Sequence, residues 1–204
     1  MLALALACAE VSAGGLIASV RTPAGAPVED AAIVLEPATG GPRANPRGRA
    51  TIEQLDREFV PYLTIVQKGT AIDFPNRDPV KHHVYSFSPA KVFEIKLYAG
   101  KPAAPVVFDR AGEIVLGCNI HDWMAAYTLV VESPWFAKTD RTGIARIERV
   151  PPGAYRLRLW HPRQTAAVGE RPLRIGADAQ RLDLAIDIAP RPAANKPPLQ
   201  ADRY

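Results

Sequence analysis

An all-β fold made of two packed sandwiches is what this sequence predicts, and three observations carry the prediction. Short runs rich in Val, Ile, Leu, Tyr and Phe recur along the chain, and these residue types suit a pleated, half-buried surface. Gly, Pro, Asn and Asp punctuate the runs at the regular strand-and-turn spacing of sandwiches. The 20 prolines fall mainly at run boundaries, where a missing N–H costs no ladder bond. With 204 residues, 48% of them hydrophobic and 23% charged, the chain has globular composition and enough length for two small domains.

In order, the runs read as strands over Leu16 to Val20, Ala32 to Leu35, Leu63 to Val66, Ala71 to Phe74, His83 to Phe87, Val92 to Leu97, Glu113 to Leu116 and Ala126 to Val131. Each is a short apolar or alternating stretch bounded by turn formers. Helix is scarce, with one turn expected around Gln54 to Glu58. In the last third, Arg146, Arg149, Arg156, Arg158, Arg171 and Arg174 alternate with apolar residues on further strands. The stretch from Pro190 to Pro198 is rich in proline and reads as a disordered tail over 190–204.

The opening, Met1 to Cys8, is a short apolar run, and Val11-Ser12-Ala13 before Gly14-Gly15 fits a signal-peptidase site. Residues 1–13 are therefore read as a signal peptide, and the chain is expected in the periplasm. Ala5-Leu6-Ala7-Cys8 partly matches a lipoprotein box, which makes lipid anchoring the weaker alternative. No later segment approaches the roughly 20 apolar residues of a membrane-spanning helix. The net charge of +4 is uneven: 47–132 carries 10 basic and 10 acidic residues, and 133–204 carries 13 and 7. Arginines alternating on strands without interleaved exposed aromatics suit a solvated sheet face better than a nucleic-acid platform.

Cys118-Asn119-Ile120-His121-Asp122-Trp123-Met124 is the segment that carries chemistry. If cleavage follows Ala13, Cys118 and Met124 are the only cysteine and methionine that remain. Singly, a lone thiol or a gap-filling Met is unremarkable. A thiolate, an imidazole and a thioether at C-x2-H-x2-M spacing suit copper, whose blue electron-transfer sites use two His and one Cys with a weak axial Met. Zinc, the rival metal, has little use for Met. The second imidazole is assigned to His82, with the adjacent His83 as the alternative. Successive strand side chains point to opposite faces, so the two do not share one site. Asp78, beside Asn76 and Pro79, is read as a turn residue, and His161 as a structural histidine.

From Phe59-Val60-Pro61 through Val66-Gln67-Lys68-Gly69-Thr70, Ile72 to Asp78 and His82-His83-Val84 to Gly117-Cys118, Arg47 to Glu132 resembles the cupredoxin family. Its ligand loop is most similar to those of amicyanin and pseudoazurin. The resemblance implies an eight-stranded Greek-key sandwich with one type 1 copper near its end, held by His82, Cys118, His121 and Met124. His83 stands where plastocyanin-like members carry Asn. The family pattern further implies that Asn76, or backbone amides near Asn119, hydrogen-bond the sulfur. Leu116, Ile120 and Trp123 are the candidate apolar shell, and the His121 edge reaches the surface in an apolar patch.

The flanks, Gly15 to Val20 with Gly25 to Leu35 and then Thr139 to Arg146 with Val150 to Leu157, resemble a smaller Ig-like sandwich of the carboxypeptidase-regulatory, transthyretin-like kind. That sandwich would be split as 14–46 and 133–189 around a cupredoxin over 47–132. Two-part chains of this sort often carry the label methylamine utilisation protein. The implied function is a periplasmic one-electron carrier between a donor and an acceptor redox protein. Copper handling and a copper-containing interaction module are the alternatives. An enzyme is not expected: four histidines are too few for a trinuclear copper cluster, the one cysteine left after cleavage is too few for a binuclear centre, and no hydrolase or zinc-protease motif occurs.

Overall fold

The structure is a computed structural model that describes residues 14–41, 48–102 and 104–191. The signal-peptide and lipoprotein-box readings, and 192–204 of the tail, lie outside the described residues. Among the described residues there is no helix, and seventeen strands follow one another. They are β1 (Gly14–Arg21), β2 (Ala32–Pro37), β3 (Arg49–Thr51), β4 (Glu53–Leu55), β5 (Glu58–Val60), β6 (Leu63–Gln67), β7 (Thr70–Asp73), β8 (His82–Ser88) and β9 (Lys91–Tyr98). The rest are β10 (Val106–Phe108), β11 (Gly112–Gly117), β12 (Ala125–Val131), β13 (Phe136–Lys138), β14 (Ile144–Val150), β15 (Gly153–Trp160), β16 (Arg171–Ile175) and β17 (Ala179–Ala185).

Two sheets enclose the middle of the chain. One has the order β6-β12-β11-β8-β9 and the other β10-β7-β3, which together make the eight strands implied by the resemblance. Alternation along β11 sends Ile114 and Leu116 inward and Glu113 and Val115 outward. The inward residues join Ile52, Ile72, Phe74, Val84, Phe108 and Val130 in one core. Each such side chain, removed from water, contributes about 1.5–3 kcal/mol.

A second pair of sheets, β14-β1-β17 and β13-β2-β15-β16, is built from the two ends of the described chain. Its core contains Leu16, Val20, Ile33, Leu35, Leu157 and Ile175. The hydroxyl of Tyr155 donates to Pro151 O at 2.8 Å and pins the turn that enters β15.

Strand β2 explains why the two cores stay together. Ala32, Ile33, Val34 and Leu35 are all buried, a continuous apolar run that one covered face would not need. Ile33 and Leu35 face the second core. Ala32 and Val34 face the other way and pack with Trp160 against Leu63, Leu129 and Val131 of β6 and β12. Polar pins border this contact: Lys138 Nζ donates to Asp30 Oδ1 at 2.8 Å and to Leu63 O at 3.1 Å, and Arg158 pairs with Glu113 at 2.7 Å.

One expected element is absent. The helical turn placed over Gln54 to Glu58 is instead a hairpin, with β4 and β5 paired antiparallel. Asp56 and Arg57 at its tip have φ of 54° and 56°, the left-handed pair that a tight two-residue hairpin turn needs. Such turns normally carry Asn-Gly or Asp-Gly. Here the Asp78 carboxylate accepts both tip amides, Asp56 N–H at 2.7 Å and Arg57 N–H at 2.8 Å, which offsets the cost of two non-glycine residues in that region.

Candidate metal centre

His82 opens β8, and Cys118, His121 and Met124 lie on the loop between β11 and β12. Gly117 pairs with both Tyr85 of β8 and Ala125 of β12, so this glycine anchors the loop to the strand that carries His82. A side chain at Gly117 would stand 2.8 Å from the Tyr85 ring. Any larger residue there would have to push the Tyr85 ring aside. The amide of Met124 donates to His121 O at 2.9 Å and closes the loop on itself.

This scaffold brings three of the expected donors together. Cys118 Sγ lies 4.0 Å from His82 Nδ1 and 3.9 Å from His121 Nδ1, and the two nitrogens are 3.2 Å apart. These separations form a triangle whose circumscribed circle has a radius of about 2.2 Å. Nitrogen and sulfur donors hold a first-row metal such as zinc at roughly 2.0–2.3 Å. The cluster is enclosed: His82 is 0% exposed, Cys118 3% and His121 4%. Met124 is buried in the same core as Cys118. One thiolate, two imidazoles and a neighbouring thioether fit copper by the softness of the donors.

Burial by itself pushes the Cys118 thiol up. Hydrogen bonding from His82, then from the His83 and Ile120 backbone amides, outweighs it and brings the thiol below its ordinary value. Burial likewise pulls His82 down, and Cys118 and Asp78 more than restore it, so the imidazole ends raised. The two shifts have one cause in common, the contact between the Cys118 sulfur and the His82 ring, which lowers the thiol and raises the imidazole.

His83 is not part of the cluster. Strand alternation turns it to the outer face, where Nε2 meets Glu94 Oε1 at 2.9 Å and the ring packs beside Tyr85 at 5.6 Å. Asn76 does not touch the sulfur. Its Nδ2 donates to Val80 O at 2.8 Å and Tyr98 O at 3.0 Å, while its Oδ1 accepts Asp78 N–H at 2.9 Å. Among the shell candidates, Leu116 is fully buried but Ile120 is 42% exposed, so Ile120 belongs to the surface. His121 is covered by Trp123, with ring centroids 5.1 Å apart, and only a sliver of it reaches solvent.

Asp78 lies in the expected turn, and its carboxylate does more than shape that turn. Oδ2 stands 2.7 Å from His82 Nε2, with both side chains almost wholly buried. The sequence signal for it was an acidic residue four positions before a ligand candidate, and proline in between made it read as turn chemistry alone. His161 is remote from this centre. Its Nδ1 accepts Arg163 N–H at 3.0 Å, and burial, with Arg163 adding to it, pushes the ring down to about 4.

No protein-family model matches this chain, and no curated protein does. Solved structures do. A Cu-containing nitrite reductase from Thermus scotoductus is similar at 21% identity and TM-score 0.40, over 48% of this chain and 25% of that one; the chain thus spans a quarter of that protein's length. A reduced Cu(I) form of an amicyanin mutant is similar at 16% identity and TM-score 0.38, over 48% of this chain and 98% of that one. A purple cupredoxin from Nitrosopumilus maritimus matches at 20% identity and TM-score 0.35, over 42% of this chain and all of that one. Each of these three is similar to this chain over a little under half of its length.

Proposed function

We propose that this chain is a type 1 copper protein of the periplasm that carries single electrons between two redox proteins, with His82, Cys118, His121 and Met124 as ligands. The observation that supports it most directly is the convergence of one sulfur and two nitrogen atoms on a point about 2.2 Å from each, from the separations given above. Copper held there supplies a one-electron couple.

The protein's own residues supply the rest. Hydrogen bonding with His82, then with the His83 and Ile120 amides, outweighs burial and holds the Cys118 thiol below its ordinary value, which favours the thiolate a metal needs. His82, at the start of β8, and His121, on the β11–β12 loop, turn Nδ1 toward Cys118. Phe74, Leu116 and Met124 keep water from the sulfur, and a dry surround strengthens every charge interaction inside it. Donors held by the start of β8 and by a loop anchored to that strand through Gly117 resist rearrangement, and small rearrangement is what a fast electron carrier needs. Release of the metal, as copper handling demands, is opposed by the near-complete burial of the same donors.

The test is to add stoichiometric Cu(II) to the purified chain and record visible absorption and EPR spectra beside a Cys118→Ser variant. An intense thiolate-to-copper band with narrow hyperfine splitting, absent in the variant, is the expected result. A colourless product, or a spectrum unchanged in the variant, would remove the electron-carrier reading.

A further inference from the structure

Three nitrogen atoms converge on the carboxylate of Asp78. Its Oδ1 accepts Asp56 N–H, and its Oδ2 faces both Arg57 N–H and His82 Nε2, at 2.7, 2.8 and 2.7 Å respectively. Both backbone partners are obligate donors, so the oxygens between them act as acceptors, and an ionised carboxylate is the acceptor-only group that satisfies all three. The third partner must then donate as well. That requirement puts a proton on His82 Nε2 and turns the Nδ1 lone pair toward Cys118 and His121. In an imidazole, the bond made by one nitrogen decides what the other nitrogen can bind.

The same two-residue turn reaches the other imidazole. Arg57 gives its N–H to Asp78 and its C=O to Trp123 Nε1–H at 3.1 Å, and the Trp123 ring lies on His121. A hairpin outside both main sheets of the middle core is thereby tied to both ring ligands. If Asp78 only shaped its turn, its bond to Asp56 and the one from its own amide to Asn76 would suffice. The short contact to His82, made by a carboxylate that is 7% exposed, is surplus to that task.

We propose that Asp78 is the positioning residue of this centre: seated on the β4–β5 turn, its negative charge holds His82 with Nδ1 as donor and favours Cu(II) over Cu(I) in the bound site. The proposal rests on the copper reading for its second half only. Outer-shell partners of ligating histidines are typically worth about 10–100-fold in metal affinity, and a fixed negative charge acts more strongly on the doubly charged ion.

Cu(II) and Cu(I) affinities and the reduction potential of the Asp78→Asn and Asp78→Glu variants, measured beside the unaltered protein, test the second half. In Asp78→Asn the Cu(II) affinity falls by about tenfold or more with a smaller change for Cu(I). A tenfold loss confined to Cu(II) raises the potential by about 59 mV. Asp78→Glu, which keeps the charge, recovers part of that shift. Equal shifts in both variants, or an unchanged Cu(II)/Cu(I) affinity ratio in Asp78→Asn, would overturn the proposal and leave Asp78 a turn residue.

The first half is read on the unaltered, metal-free chain, and so is independent of whether copper binds or the variants fold. Nitrogen NMR of His82, recorded at a pH where the ring holds one proton, is expected to show that proton on Nε2, in slow exchange with solvent. An Nε2 without a proton sinks the proposal even if the copper spectrum is blue.

Discussion

Two buried imidazoles in this chain experience the same burial with opposite results. His82 and His161 are 0% and 1% exposed, and burial alone disfavours the charged ring in both. Beside His82 stand a thiol and a carboxylate, and its affinity for a proton rises. At His161 burial dominates and the Arg163 charge adds to it, so the ring's pKa falls to about 4. The contrast extends to the cores around them. Gln54, Asn76, His82, His83 and His121 are buried in the middle of the chain, whereas Ser133, Thr139 and His161 are the buried polar residues of the flanking half. Among the described residues, the middle half buries nine polar or charged side chains, the donor cluster among them. The other half uses burial for packing.

The largest effect that separates the halves is a cavity on the packing side. Leu35→Ala removes a fully buried side chain from the second core and is expected to cost about 2–5 kcal/mol, measured by denaturant unfolding, with the metal-site spectrum of the folded protein unchanged. A spectrum altered in step with stability would show that the halves are not separable in this way.

A titration sharpens the comparison next. His161 has a folded value near 4 against an ordinary 6.5, so the unfolded chain binds its proton first. The stabilisation is therefore full above about 6.5 and is lost as pH falls toward 4, amounting to up to about 3 kcal/mol over that window. His161→Asn, which keeps an acceptor for Arg163 N–H, is expected to flatten the slope of unfolding free energy against pH between those limits.

On the polar side, Asn76→Ala removes two donated bonds and one accepted bond. A loss of about 1–3 kcal/mol is expected, together with faster amide exchange at Asp78, which loses its Asn76 partner. Smallest of all, Phe87→Ser on the open outer face, where the ring is 79% exposed, is expected to shift stability by no more than about 0.5 kcal/mol. A larger loss would mean that the Tyr85–Phe87 ring contact at 5.1 Å stiffens β8.

Much of the centre was legible in the chain because its signals are local. Cys118, His121 and Met124 share one loop, and the two-residue period of a strand separates His82 from His83 without reference to anything distant. What escaped was non-local or unmarked. The β4–β5 turn carries no glycine, since Asp78, 21 and 22 positions later, bonds its tip, and no window around Gln54 to Glu58 contains that partner. Asn76 followed the family expectation only until its actual neighbours, Val80 and Tyr98, were in place. Ile120 was counted as shell from its apolar type, and it points outward because the loop turns there toward His121.

The contact through Ala32 and Val34 also governs what can be cut from this molecule. Leu63, Leu129 and Val131 have no water-facing role while β2 and Trp160 cover them. A fragment trimmed to the metal-bearing strands would come away with an oily flank, and at working concentrations it would clump with its own copies. The two pairs of sheets kept together, with β2 and Trp160 lining that flank, are the unit to handle in solution.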